Sequence, residues 1–299
     1  MNDKKIMKEL QIDATTLKRF KLIQKQTILE AKKLFSTKKR KLRVLGISSS
    51  ARDEFDYAQE KSNSETLLIE ALDECKKLGA ETQLVQLRKF TIKPCKACYS
   101  TTNTQCHYPC SCYPKGTEEG DGMSNILYDK VIWADAIIFA TPVNNFDIST
   151  HLKLFIDRCI SLDGSLAPAD PKHPKDVELN TKQMKFIELT AKDNIMGSGL
   201  LKRFWGKVAG IIVTGHEEGG AMAISNLFMT LNNAYGMVFP PVNNVYAMSS
   251  ISKSTYEDKP IVTSDYYKKE VRILAKNIML ATKELYKKKA KWIYSQDAN

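Results

Sequence analysis

Five of the chain's seven cysteines fall in the stretch PCKACYSTTNTQCHYPCSCYPKG, at Cys95, Cys98, Cys106, Cys110 and Cys112. Thiolates with a neighbouring imidazole, here His107, are the donors that soft metals prefer. The spacing Cys95-x2-Cys98-x7-Cys106-x3-Cys110-x-Cys112 matches neither of the paired C-x2-C zinc layouts. From these residues three chemistries stay open: a metal centre built on zinc or an iron-sulfur cluster, reduced thiols lining a loop, and redox-active pairing of thiols.

A second group is the loop Ser48-Ser49-Ser50-Ala51-Arg52, completed by Ser62-Asn63-Ser64-Glu65-Thr66. A phosphate held at a helix N-terminus needs backbone N–H groups, small hydroxyl side chains and little steric bulk, and these segments supply them. The loop carries neither the G-x-G-x-x-G of a dinucleotide fold nor the G-K-S/T of a triphosphate loop, which favours a mononucleotide. Ordinary helix capping would use the same residues.

The elements that must position both groups alternate along the chain. LRVLGI (42–47) reads as a buried strand, SNSETLLIEALDECKKLGA as a helix with apolar positions 67, 68, 71, 72, 75 and 78, and ETQLVQL (81–87) as a second strand. After the cysteine stretch, MSNILYDKVIWADA predicts a helix, AIIFATP (136–142) a strand and STHLKLFIDRCISL an amphipathic helix. A polar, proline-containing segment from Asp163 to about Lys182 reads as a loop or insertion, within a departure from the repeat that spans about 163–205. KVAGIIVTG (207–215) is the fourth strand and GGAMAISNLFMTLNNAYG its helix; a fifth strand is expected near the start of MVFPPVNNVYAM, and a helix over 265–289 closes the unit. Five strands alternating with helices predict an α/β fold, a flavodoxin-like doubly wound five-stranded parallel sheet, over 42–291. A basic helical extension (1–41) precedes it, whose Leu17, Phe20, Ala31, Leu34 and Phe35 would pack on the outside of the sheet or on a partner subunit, and a short tail (292–299) follows.

The pieces GISSSAR with SNSET, IKPCKAC, DGM, ATPV with LKLFIDR, and TGHEEGGA occur in the order and on the elements of one family. On these residues the chain resembles the NAD(P)H-dependent FMN reductases, a branch of the flavodoxin-like proteins related to quinone reductases and iron-sulfur flavoproteins. The resemblance implies that Ser48, Ser50, Arg52, Asn63, Ser64 and Thr66 hold an FMN phosphate. It implies that Thr141, Pro142, Val143, Asn144, Asn145 and Phe146 run along the isoalloxazine, with Thr214, Gly215, His216, Gly219 and Gly220 in the opposite loop. It also implies NAD(P)H as co-substrate, a flavin, quinone or similar small-molecule acceptor, and a homodimer or homotetramer. The alternative is an electron carrier with an iron-sulfur cluster on Cys95, Cys98, Cys106 and either Cys110 or Cys112. No side-chain acid or base is required for hydride transfer, so no catalytic residue is assigned. Lys153, Asp157 and Arg158 read as anchors of their helix. Where the family usually has an aromatic residue this chain has Asn144, so stacking on the flavin would pass to Phe146 or to another subunit. Gly122 replaces a common second acid, and the TGHEEGGA loop lacks a Gln-Glu pair.

Net charge is +11, with thirteen Lys/Arg against four acids in residues 1–41 and nine against two in 268–291, so the middle of the chain is slightly acidic. This pattern reads as solvated terminal helices; a nucleic-acid arm on Lys287, Lys288, Lys289, Lys291 and Trp292 is the lesser reading. There is no run of eighteen apolar residues and no apolar segment behind the N-terminal lysines. A cytoplasmic protein with no membrane partner is expected, in a compartment that keeps thiols reduced.

Overall fold

The computed structural model describes residues 2–36, 40–53, 55, 59–101, 105–116, 120–215, 219–249 and 254–288. Two helices come first, α1 (Asp3–Leu10) and α2 (Ala14–Phe35), capped by the side chains of Asn2 and Asp13. Then follow β1 (Arg43–Ser48), α3 (Asn63–Lys77), β2 (Glu81–Gln86), α4 (Tyr128–Trp133), β3 (Ala136–Asn144), the two-residue β4 (Asp147–Ile148) and α5 (Thr150–Cys159). The chain continues through β5 (Asp163–Ser165), α6 (Val177–Thr190), β6 (Leu201–Lys202), β7 (Val208–Gly215), α7 (Gly220–Phe228), β8 (Asn244–Met248), α8 (Thr255–Val262) and α9 (Asp265–Lys288).

Five parallel strands pair in the order β2-β1-β3-β7-β8. This is the doubly wound order whose direction reverses between β1 and β3, where ligands of such sheets bind beyond the carboxyl ends. The central strands read as continuous apolar runs because helices cover both faces. On one face Leu67, Leu68 and Leu72 of α3 meet Val271, Leu274 and Ile278 of α9; on the other, Val131, Leu152, Phe155 and Leu227 pack over Ile137, Phe139 and Ile211.

The fifth strand lies at the end of MVFPPVNNVYAM, not near its start. Val238 makes a single bridge to Val208, and Pro240 and Pro241 then interrupt the run before Asn244 joins β7. Proline has no N–H to give a ladder, so pairing resumes only beyond it.

The segment read as a loop from Asp163 is largely structured. Asp176 caps α6 by accepting from the Leu179 N–H, and the α6 side chains Met184, Phe186 and Ile187 are buried against Ile6, Leu10, Leu17 and Phe20. The N-terminal extension therefore packs on the insertion. The Phe20 and Phe186 rings lie 5.7 Å apart, and Arg203 binds Glu30 of α2 through Nε and Nη2 at 2.7 and 2.8 Å. Leu17, Phe20 and Ala31 are buried in this contact, while Leu34 and Phe35 are only partly covered. None of the described helices is long and apolar enough to cross a membrane. The proposed basic arm lies outside the described residues from Lys289 onward.

Candidate functional site

The carboxyl end of β1 faces the N-terminus of α3. Ser62 caps that helix, its hydroxyl accepting from the Glu65 N–H at 3.3 Å, and the Ser62 and Ser64 hydroxyls are 3.0 Å apart. The first N–H groups of a helix have no partner within it, which leaves those of Asn63 and Ser64 directed out of α3. Asn63 is buried, and its Oδ1 meets no hydrogen-bond partner among the described residues. Ser50 is buried and accepts from the Arg52 N–H at 3.1 Å; the Arg52 side chain is partly exposed beside it.

Two predicted phosphate ligands are committed elsewhere. Ser48 donates its hydroxyl to Glu65 Oε2 at 2.5 Å, and Thr66 donates to the Ser62 carbonyl at 2.9 Å. Glu65 is held in turn by Gln86 at 2.7 Å and by Arg88, whose Nη1 lies 2.6 Å from Oε2. Arg88 Nε also binds Asp53 Oδ2 at 2.8 Å, so one guanidinium spans the loop after β1 and the first turn of α3. Burial alone would push the Glu65 carboxyl up; the hydrogen bonds from Arg88, Ser48 and Gln86 outweigh it and hold the group below its usual range. Arg88 carries no local motif, and only its place at the end of β2 brings it here.

Across the switch point, β3 continues past the sheet and turns back into β4, with Asn144 opposite Asp147. The two turn residues Asn145 and Phe146 have φ of 48° and 65°, the left-handed pair of a tight two-residue hairpin. A bulky residue in that region is strained, and such strain gathers at ligand-binding turns. Thr141 is fully buried and accepts from the Ser149 N–H at 3.1 Å, which ties the strand to the start of α5; Pro142 and Val143 are partly covered and Asn144 is exposed. From the other side Gly219, just before α7, lies against this hairpin: a Cβ on it would stand 2.3 Å from the Phe146 Cα, and one on Gly220 would meet the Tyr246 ring. Thr214 is buried, Gly215 ends β7, and His216 lies outside the described residues.

The cysteine loop is bolted at its base by Arg158, which reaches Asp121 through both Nη atoms at 2.9 and 2.7 Å and Lys93 O at 2.9 Å. Its guanidinium also lies 4.5 Å from the Tyr113 ring centre. Arg158 so ties α5 to this loop, while Lys153 and Asp157 form an exposed pair at 2.5 Å on the rim of a cavity of about 490 Å³. Within the loop the thiols touch one another: Cys112 Sγ donates to Cys98 Sγ at 3.7 Å, Cys106 is in reach of Cys98, and Cys110 is in reach of Cys112. Cys95 lines the cavity, and His107 turns to Ser111 Oγ at 2.7 Å. Among the described residues no three Cys, His, Asp or Glu side chains are placed to hold one metal ion. The five thiols expected to hold a metal, Cys95, Cys98, Cys106, Cys110 and Cys112, are thus gathered in one loop, with Cys98 meeting both Cys106 and Cys112.

A model of the NADPH-dependent FMN reductases matches residues 42–251, from the approach to β1 through β8. The chain belongs to that family. An iron-sulfur flavoprotein of Archaeoglobus fulgidus is 31% identical over 40% of this chain, and the match spans 51% of that relative, about half its length. An iron-sulfur flavoprotein of Methanocaldococcus jannaschii is 26% identical over 65% of this chain and 96% of its own. The solved structure of RosB with bound 8-demethyl-8-formylriboflavin-5'-phosphate superposes with a TM-score of 0.53 at 14% identity, covering 85% of this chain and 82% of that one, and so shares the fold.

Against this FMN reductase family, the phosphate end of the site fits. The Asn63 Oδ1 lacks a partner among the described residues; turned about its last bond, the amide would offer its N–H2 to a phosphate at the helix N-terminus, and Arg52 would add a counter-charge. Among the described residues no donor arrangement is placed for the iron-sulfur cluster named in the relatives.

Proposed function

We propose that the protein is an FMN-dependent NAD(P)H oxidoreductase that passes electrons to a flavin, quinone or similar small-molecule acceptor. The observation that carries this reading is the buried Asn63 amide at the N-terminus of α3, whose Oδ1 has no partner among the described residues, at the carboxyl end of a sheet whose β3 ends in the strained Asn145-Phe146 turn. Asn63, Ser64, Ser50 and Arg52 would hold the phosphate through backbone N–H groups, hydroxyls and charge. Ser48 and Thr66 contribute by shaping the loop, since their hydroxyls are already donated within it. The stretch Thr141 to Phe146, with Gly219 packed against its turn, would border the ring. Bound FMN supplies two-electron acceptance from a nicotinamide and donation to an acceptor. The chain's part is to bind and orient both partners and to limit water at the hairpin.

Room for the acceptor is supported by the cavity of about 490 Å³. It shares Asp147 and Ile148 with the hairpin and is lined further by Tyr99, Ile156, Leu227 and Met229. That size and mixed lining suit a small ring system. Phe146, 55% exposed at the hairpin tip, supports completion of the site by a second copy in a homodimer or homotetramer, which light scattering would measure.

The test is anaerobic purification followed by an absorption spectrum, metal analysis and FMN titration, and then NAD(P)H oxidation with and without FMN. Flavin bands, low metal and FMN-dependent turnover are expected. A protein that neither retains nor binds FMN overturns the reading, and stoichiometric iron with broad visible absorption replaces it with the electron carrier.

A further inference from the structure

We infer that Cys98 and Cys112 form a reversible dithiol–disulfide couple that takes low-molecular-weight disulfides as its reaction partner. The pair is made by the fold: Cys98 begins the short turn Cys98–Ser100, Cys112 lies fourteen residues on, and their sulfurs are in contact at 3.7 Å. From that contact a disulfide of about 2.05 Å is reached by a closure of less than about 2 Å. Both side chains are partly exposed, whereas Cys75 and Cys159 are fully buried in the two faces of the sheet.

A cation is built into the pair. Lys175, in the insertion, donates from Nζ to the Gln105 carbonyl at 2.6 Å and is in hydrogen-bond reach of both Cys98 and Cys112. The Cys106 contact and burial push the Cys98 thiol above its ordinary range, and the Lys175 charge opposes them. The neighbouring thiols Cys106 and Cys110 have their own contacts, to Cys98 and Cys112, and Cys95 faces the cavity.

The step balances without a further oxidant. One thiol of the pair, having lost its proton to solvent, attacks the small disulfide and releases one small thiolate. The second thiol loses its proton and attacks the mixed disulfide, which forms the Cys98–Cys112 bond and releases the second small thiolate. Two protein thiols are oxidised, and one small disulfide is reduced to two thiols. The bond would staple the turn that follows Ala97, and because Ala97, Tyr99 and Cys95 line the cavity, oxidation would stiffen one wall of it.

The test uses the full chain with oxidised glutathione, with and without prior chelator treatment, followed by non-reducing peptide mapping by mass spectrometry. Expected are a loss of two titratable thiols, linked peptides carrying Cys98 and Cys112, and reversal by dithiothreitol. Cys98→Ser and Cys112→Ser should each trap the other cysteine as a glutathione adduct, with unchanged melting of the reduced protein as the check on folding. Lys175→Gln should slow bond formation several-fold near neutral pH. A map dominated by other pairings, no bond at all, or thiols that react only after a chelator has removed metal overturns the inference.

Discussion

Arg158 of α5 and Asp121, thirty-seven residues apart, form a two-pronged ion pair at 2.7 and 2.9 Å with side chains 1% and 2% exposed. Asp121 also accepts from the Ser124 and Lys93 N–H groups, so the pair holds both ends of the cysteine loop against α5. Removing one partner leaves a buried charge. Arg158→Met or Asp121→Asn is expected to destabilise the protein by about 3–5 kcal/mol, measured by urea unfolding, while the double variant with two apolar residues recovers most of the loss. Burial would push Asp121 up, but the Arg158 hydrogen bond and the backbone donors hold it below the ordinary range. A depressed carboxylate contributes stability above the unfolded value of about 3.9 and loses it as pH falls through the folded value. Unfolding below pH ~4 should therefore be less steep in Asp121→Asn.

Arg88 reaches Glu65 and Asp53 without lining the expected phosphate seat itself. Arg88→Gln frees the loop after β1 and leaves Glu65 charged beside an anion. FMN affinity should fall by about tenfold or more in a fluorescence titration, with turnover at saturating FMN little changed. Equal affinities would show that the network serves only stability.

Gly219→Ala places a methyl 2.3 Å from the Phe146 Cα, against backbone that cannot simply swing aside. The two loops must part. Weaker flavin binding with a nearly unchanged melting temperature is expected, and the hairpin would be acquitted by wild-type binding.

Asp163 behaves oppositely to Asp121. Burial raises its carboxyl to about 6, only partly opposed by Lys202 across the β5-β6 pair, and its Oδ1 meets no partner among the described residues. A carboxyl raised in the folded state costs stability as pH climbs from about 4 through 6. Asp163→Asn should therefore stabilise the chain at pH 8 by about 1–3 kcal/mol and have little effect at pH 4. A gain of the same size at both pH values would sink this account.

The sequence by itself determined what local order can express. Buried parallel strands are continuous apolar runs, so RVLGIS, AIIFA and VAGIIV announce themselves, and Ser62 marks the start of α3 by its capping chemistry. Where two runs compete, as in MVFPPVNNVYAM, local order cannot choose; the two prolines put the strand at Asn244–Met248. The tertiary structure alone decided which side chains meet. Arg88 was invisible because its partners lie 23 and 35 residues away, and the extension's buried face did not name α6 as its cover. Five clustered cysteines invited a metal, yet thiol spacing along a loop does not set the directions of the sulfurs. The loop is held here by Arg158 on the Lys93 carbonyl, Lys175 on the Gln105 carbonyl and Arg203 on the Tyr108 ring, from segments that meet only when the sheet and its insertion have packed.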